Sequence, residues 1–138
     1  MDLGVYCLYP LITLFGEPNE VKATGIMLES GVDGEGSVVL SYDDKDAVVM
    51  YSKITNSSLP SEIQGEKGSM IIDKISSPEQ VEIRYNDGTT EQLPIEQAHP
   101  VMYYEVKEFI DLINSGKMES AINTFANSYT MMQVVDRV

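Results

Sequence analysis

The chain contains 138 residues, 43% of them hydrophobic and 22% charged, with a formal net charge of -13. This length and composition are typical of one folded domain with its own core. The excess of acidic residues argues against nucleic acid and anionic membranes as partners, because both require Lys and Arg on the protein. No apolar run approaches the length of a membrane span. The single cysteine, Cys7, excludes an internal disulfide and fits a reducing cytoplasm, where we expect the protein to reside.

The first predicted element is a helix over residues 2–15, ended by Gly16 and Pro18. Its apolar residues form two stripes, and a helix that is apolar on most sides is buried on most sides. One stripe is Leu3, Cys7, Leu11 and Leu14, and the other is Val5, Leu8, Ile12 and Phe15. Because one sheet covers only one face of a helix, we expect a second body against the other face.

The middle of the chain is predicted to be rich in β-strands joined by short links, which favours antiparallel pairing. The clearest hairpin turn is the segment Tyr85–Thr89. The runs around 37–40 and 46–51 are apolar on both faces, which predicts a sheet that is covered twice. The predicted strands lie at about 20–29, 36–42, 46–55, 61–65, 69–75, 80–86 and 89–95.

Two helices are predicted to close the chain. The first has an amphipathic stripe from Met102 to Ile113 and ends at Ser115-Gly116, and the second follows from about Ala121 to the last residue. The sequence therefore predicts a single α+β domain over residues 1–138. It combines an open, mainly antiparallel sheet of about six or seven strands with one N-terminal and two C-terminal helices. Both ends of the chain look cut, so we expect the natural protein to be longer.

Several common sites have no support in the sequence. The glycines from Gly31 to Gly36 lie in a hairpin position and do not form a dinucleotide-binding fingerprint. The nucleophile elbow of serine hydrolases is absent. One cysteine and one histidine cannot build a zinc site, and the acidic run Asp43–Asp46 lacks calcium-loop spacing, so we expect no metal. His99 is interpreted as a loop histidine without an evident partner, and Cys7 as a small core residue.

Asp2 and Tyr6 are the candidate functional residues. Four residues apart in a predicted helix, they would share one face and could contact the same small ligand. A helix N-cap at Asp2 and a core aromatic at Tyr6 explain the same residues equally well. A tyrosine of pKa about 10 needs a nearby cation for acid–base chemistry at neutral pH. The first basic residue is Lys22, so that cation must come from elsewhere.

The segment Asp2-Leu3-Gly4-Val5-Tyr6 resembles the Asp-x-Gly-x-Tyr/His segment of the Gfo/Idh/MocA oxidoreductases. Its tyrosine version is similar to the branch that contains glucose–fructose oxidoreductase and dimeric dihydrodiol dehydrogenase. Three later stretches resemble the same family in the same order, and together they span nearly the whole chain. They are Ile63–Ile71, Tyr104-Glu105 through Phe109-Ile110, and Asn123-Thr124 through Ser128 to Asp136.

This resemblance implies the C-terminal half of a two-domain enzyme, with a fold like the C-terminal domain of glyceraldehyde-3-phosphate dehydrogenase. An N-terminal Rossmann domain, absent from this chain, would bind NAD or NADP and supply a lysine from a Glu-Lys-Pro motif. It would also be the second body expected against the first helix. The sheet's broad face commonly pairs subunits in the family, so we expect a homo-oligomer.

The resemblance also implies a role for each residue of the opening segment. Tyr6 would be the catalytic proton donor or acceptor at the substrate hydroxyl or carbonyl. Asp2 would bind a substrate hydroxyl, and Gly4 would allow close approach of the substrate or nicotinamide. The implied substrate is a sugar, a polyol or a similar hydroxy compound, and residues 1–138 alone should be inactive. The alternative is a non-catalytic module of the same fold that binds a ligand or another protein, or that dimerises as a scaffold subunit.

Overall fold

Seven strands and three helices make up residues 2–138, the part of the chain that the computed structural model describes. The α+β class and the number and order of the elements are confirmed. The strands form two antiparallel sheets, one in each of two units. The first unit comprises residues up to Asn56 together with Glu119–Val138, and the second is Ser57–Met118.

The sequence predicted one sheet, whereas the strands form two, and the segment after the third strand shows where the first sheet ends. Ser52 Oγ accepts hydrogen bonds from the backbone N–H groups of Ile54 (3.1 Å) and Thr55 (2.9 Å), which ends the strand in a turn. Pro60, just before the next strand, has no N–H to donate to a ladder.

Helix α1 spans Val5–Phe15 and ends where the sequence predicts, because Gly16 adopts a φ of 76° that favours glycine. It begins three residues later than predicted. Gly4 is the N-cap, and its carbonyl accepts the Leu8 N–H at 3.0 Å. Glycine is about 1 kcal/mol less favourable than alanine inside a helix, which is consistent with a boundary at Gly4.

The sheet of the first unit contains β1 (Glu20–Met27), β2 (Asp33–Ser41) and β3 (Asp46–Ser52), paired in that order. In the antiparallel register, Val38 lies opposite Val49 and Leu40 lies opposite Ala47. Burial alternates along β2, as expected for a sheet with one covered face. Helices α1 and α3 supply that cover. The core consists of Leu8, Ile12, Val38, Leu40, Val49, Met131 and Val134.

The other face of this sheet is exposed, and it carries four hydrophobic side chains among polar and charged ones. Val48 and Met50 are each 69% exposed, and the side chains of Ile26 and Val39 lie on the same face in the register. The sequence predicted cover on both faces, whereas the described residues cover only one. We refer to Ile26, Val39, Val48 and Met50 as the outer face.

The second unit contains β4 (Ser61–Gly65), β5 (Gly68–Ile72), β6 (Val81–Tyr85) and β7 (Thr90–Leu93), paired in chain order. The hairpin turn after β6 is confirmed, since the Gly88 N–H donates to the Tyr85 carbonyl at 3.0 Å. Helix α2 (Val101–Ser115) ends at left-handed Gly116, also as predicted. None of its residues is buried, so its apolar stripe is exposed in the described chain.

Helix α3 spans Phe125–Val135 and returns to the first unit. The sequence predicted a start near Ala121, but the chain first makes a turn around buried Ser120, whose Oγ accepts the Ile122 N–H at 3.1 Å. Thr124 is the N-cap, and its hydroxyl accepts the Asn127 N–H at 3.1 Å. A local side-chain cap therefore sets this boundary. None of the described helices is long and apolar enough to cross a membrane.

Candidate active site

The three residues of the opening motif lie at the N-terminal end of α1. Tyr6 is in the first turn and is 53% exposed, and Gly4 is buried at the N-cap. The Asp2 side chain is 78% exposed and precedes the helix. The prediction that Asp2 and Tyr6 share a helix face is therefore wrong, because the helix begins at Val5. The turn at Leu3–Gly4 separates them instead, with the Tyr6 N–H donating to the Leu3 carbonyl at 3.3 Å.

The structural explanations for these two residues also fail. No side chain caps α1, so Asp2 is not its N-cap. Tyr6 is half exposed, whereas Leu8 and Ile12 on the same helix are buried, so Tyr6 is not a core aromatic. Gly4 has a φ of -61°, which any residue adopts, so backbone strain does not require a glycine there.

A lysine that the sequence analysis missed lies beside the motif. Lys53 Nζ is 3.9 Å from Asp2 Oδ2 and 3.3 Å from Asp33 Oδ1. Asp33 begins β2 and Lys53 follows β3, and antiparallel pairing brings these two ends together. The backbone N–H of Lys53 donates to the Gly34 carbonyl at 2.7 Å, which fixes the backbone of the lysine at this position. The hairpin register was the sequence signal that could have found the Lys53–Asp33 pair.

The electrostatics of this corner follow from the ion pair. Burial acts to raise the pKa of Asp33, but the hydrogen bond and the charge of Lys53, together with smaller contributions, outweigh burial, and the pKa is lowered. The pKa of Tyr51 is raised by burial and by the negative charge of Asp33, so its phenol stays protonated. Tyr51 lies against Gly36, where a Cβ would come within 2.4 Å of the phenol oxygen.

A second polar contact joins α1 to the segment before α3. The Tyr9 hydroxyl, one turn beyond Tyr6, donates to Asn123 Oδ1, and Ser128 Oγ donates to the same oxygen at 3.3 Å. The sequence analysis singled out Asn123 and Ser128 by resemblance but did not identify Tyr9. This contact fixes the helix that carries Tyr6.

The remaining candidates have the following surroundings. His99 is in a loop of the second unit, as predicted, but it has aromatic partners. Its ring centroid is 4.0 Å from that of Tyr103, and its backbone N–H donates to the Tyr104 hydroxyl at 3.2 Å. Cys7 is half buried at the edge of the core, and burial raises its thiol pKa. Lys45 pairs with Asp44 in the acidic turn. Within residues 2–138, no group of three or more His, Cys, Asp or Glu could hold a metal.

Comparison with known proteins identifies the family. The model of the Gfo/Idh/MocA oxidoreductase family, C-terminal alpha/beta domain, matches residues 1–134. The chain belongs to this family. The resemblance noted in the sequence, to the C-terminal half of such oxidoreductases, is therefore confirmed.

Individual relatives agree with this assignment. The chain is 54% identical over 136 residues to scyllo-inositol 2-dehydrogenase (NADP(+)) IolU of Bacillus subtilis, a match covering 99% of this chain and 42% of that protein. It is 27% identical over 151 residues to trans-1,2-dihydrobenzene-1,2-diol dehydrogenase of Sus scrofa, covering 100% of this chain and 44% of that protein. The chain thus spans less than half the length of the curated relatives it matches.

A solved structure supports the fold. UDP-N-acetylglucosamine 3-dehydrogenase GnnA from Acidithiobacillus ferrooxidans superposes with a TM-score of 0.78 at 15% identity, covering 99% of this chain and 45% of that chain. At this identity the likeness establishes the shared fold alone.

Proposed function

We propose that this chain is the substrate-binding and oligomerisation domain of an NAD(P)-dependent oxidoreductase that acts on a polyol, a sugar or a related hydroxy compound. The observation that carries the proposal is that Asp2 and Tyr6 are both exposed at the start of α1, where Asp2 does not cap the helix and Tyr6 is not part of the core. The match to an inositol dehydrogenase supports a cyclic polyol as the substrate class.

In this proposal Tyr6 handles the substrate proton. When a carbinol is oxidised, the hydroxyl proton passes to the phenolate oxygen of Tyr6, and in the reverse direction the Tyr6 phenol donates that proton as a carbonyl is reduced. Asp2 accepts a hydrogen bond from a substrate hydroxyl and thereby orients the substrate. A nicotinamide bound by a separate domain would supply the hydride chemistry at the carbon.

Two glycine-containing turns of the described chain do not fit a dinucleotide. Gly31 lies between two strands, and the Gly65–Gly68 segment is the turn of the β4–β5 hairpin, so neither begins a helix that could hold a pyrophosphate. NAD or NADP would therefore bind to a separate Rossmann domain, the first proposed partner. Part of the Leu3–Leu14 stripe of α1 is free to contact that domain, because Leu3 and Leu14 are both exposed.

The outer face of the first sheet is the proposed oligomer interface. Its four hydrophobic side chains are uncovered by the described residues, and burial of side chains such as Val48 and Met50 would contribute about 1.5–3 kcal/mol each. A second copy of the chain is the partner we propose there.

The oligomer is tested with a matched pair of variants. Val48→Asp should convert a dimer to a monomer in analytical ultracentrifugation, because it places a carboxylate in the interface. Val32→Asp, which changes an exposed valine in the turn between β1 and β2, is the control. A Val48→Asp protein that stays dimeric contradicts the outer face as the interface.

The catalytic role is tested in the longer enzyme that joins this domain to its Rossmann domain. Tyr6→Phe should lower kcat by about 10²–10⁴-fold, because the proton carrier is lost, with NAD(P)H binding unchanged. Tyr129→Phe alters another half-exposed helical tyrosine and should leave kcat as it is. An unchanged kcat in Tyr6→Phe rejects the role of Tyr6.

Two assays separate this proposal from the non-catalytic alternative. Residues 1–138 alone, given NAD(P)H and a panel of sugars and polyols with their ketones, should show no turnover. Turnover by this chain alone would contradict the need for a second domain. Binding of a polyol by the longer protein, with no turnover under any cofactor, would favour the ligand-binding module.

A further inference from the structure

Lys53 lies between two carboxylates of the first unit. Its Nζ is 3.3 Å from Asp33 Oδ1 and 3.9 Å from Asp2 Oδ2. The Lys53 side chain is 25% exposed, against 78% for that of Asp2. A largely sheltered cation therefore meets an exposed carboxylate at the start of the functional motif.

Lys53 is anchored independently of Asp2. The backbone N–H of Lys53 donates to the Gly34 carbonyl at 2.7 Å. The backbone N–H groups of the next two residues donate to the Ser52 hydroxyl and form a turn. The ammonium group of Lys53 also donates to Asp33, which begins β2. All three anchors lie at the ends of the paired strands β2 and β3.

Asp2 has no comparable support from its own segment. It precedes α1, and its side chain does not cap that helix. Exposed ion pairs add little to the stability of a fold, so stability is a poor explanation for this contact. A carboxylate that is already held in place loses less freedom when it binds a ligand, which favours binding.

We propose that Lys53 is a positioning residue that holds the Asp2 carboxylate where it meets the substrate hydroxyl. This inference rests on the function proposed above for Asp2. It adds a residue that lies outside the opening motif and outside the other three stretches that resemble the family. The lysine acts through Asp2 and does not itself exchange a proton with the substrate.

The test uses the longer enzyme and its polyol substrate. Lys53→Met should raise KM about tenfold and change kcat by less than about threefold, because the variant weakens substrate binding more than it slows the chemical step. The Kd of NAD(P)H should stay unchanged. Lys53→Arg keeps the charge and should recover most of the affinity. An unchanged KM in Lys53→Met overturns the proposal.

Lys45→Met is the matched control. It removes another lysine that is paired with an aspartate, at the opposite end of β3. The seven residues of β3 lie between Lys45 and Lys53, so the two are eight residue steps and roughly 26 Å apart at about 3.3 Å per residue. Its KM should match that of the wild type, and a rise equal to that of Lys53→Met would indicate a general charge effect and overturn the proposal.

Two double variants separate positioning from a structural role. If Lys53 acts through Asp2, adding Lys53→Met to Asp2→Asn should change KM by less than about twofold, whereas additive effects overturn the proposal. Asp33→Asn with Lys53→Met removes both charges of the inner pair. Its KM should stay as high as that of Lys53→Met, and a return to the wild-type KM would assign the effect to an uncompensated Asp33.

If the enzyme turns over no hydroxy compound, the proposed function fails. The contact between Lys53 and Asp2 is then tested chemically. A carbodiimide joins a carboxylate and an amine that lie in contact, with loss of water. Peptide mapping by mass spectrometry should find Lys53 joined to Asp2 as well as to Asp33. Formation of the Lys53–Asp33 link without any Lys53–Asp2 link overturns the contact itself.

Discussion

The two units of this chain differ in how far each one covers its own apolar residues. The first unit buries seven hydrophobic residues between its sheet and helices α1 and α3. Among the described residues of the second unit, only the hydrophobic Ile72 is buried, and α2 buries none. Amphipathic patterning is present in both units, so the pattern alone does not determine burial. What matters is whether the chain itself supplies the opposing surface.

The largest expected effect tests this difference directly. Leu40→Ala removes a fully buried side chain from the first unit and should lower the free energy of unfolding by about 2–5 kcal/mol. Phe109→Ala removes a larger side chain from the exposed stripe of α2 and should change it by less than about 0.5 kcal/mol. Urea unfolding of residues 1–138 measures both. Equal losses would mean that α2 is covered in solution.

Substitution of one glycine in each unit should give an effect on stability of intermediate size. In Gly36→Ala the new Cβ would lie 2.4 Å from the Tyr51 hydroxyl oxygen, so Tyr51 must move, at a cost of about 1–3 kcal/mol. In Gly65→Ala of the second unit, the Cβ would meet the Gly68 carbonyl at 3.4 Å, an ordinary contact. Thermal unfolding should therefore separate the two variants, and a Gly36→Ala protein of wild-type stability would contradict the close approach of Tyr51.

The smallest expected effect is a dependence of stability on acid. Asp33 in the first unit has a lowered pKa, because the hydrogen bond and charge of Lys53, with smaller contributions, together outweigh burial. Asp73 in the second has a lowered pKa because the backbone N–H groups of Gln80, Glu79 and Lys74 together outweigh burial. A lowered folded-state pKa contributes stability above the unfolded value of about 3.9 and loses it as pH falls through the folded value.

Both units should therefore lose stability below about pH 4, and each carboxylate should contribute to the slope of the unfolding free energy against pH. Asp33→Asn and Asp73→Asn should each flatten the fall of the unfolding free energy between neutral and acid pH. Chemical denaturation at a series of pH values measures the slope. Slopes that match the wild type in both variants would contradict these ion-pair and backbone contacts.

The elements that were predicted well are those with strong local signals. The end of α1 at Gly16, the end of α2 at Gly116 and the hairpin around Gly88 all follow from glycines with positive φ. The two helix starts were predicted less well. Gly4 and Thr124 set the N-termini of α1 and α3, and in both cases the apolar period extends beyond the cap.

The candidate site was only half accessible from the sequence. The opening motif carried Asp2 and Tyr6, but it also predicted a shared helix face, which the N-cap at Gly4 rules out. Lys53 and Tyr9 were not found. Lys53 reaches Asp2 because a hairpin and a helix end meet in space, and Tyr9 is identified only by its contact with Asn123.

By itself, the sequence determined the α+β class, the order of ten elements and the family, because periodicity, turn residues and motifs are local or linear properties of a chain. Only the tertiary structure decided which apolar faces are covered and which cation meets Asp2. Burial and ion pairing depend on groups that lie far apart in the sequence and become neighbours only when strands and helices pack. Lys53 beside Asp2, and the uncovered outer face, are the two observations on which the proposed positioning role and the proposed oligomer rest.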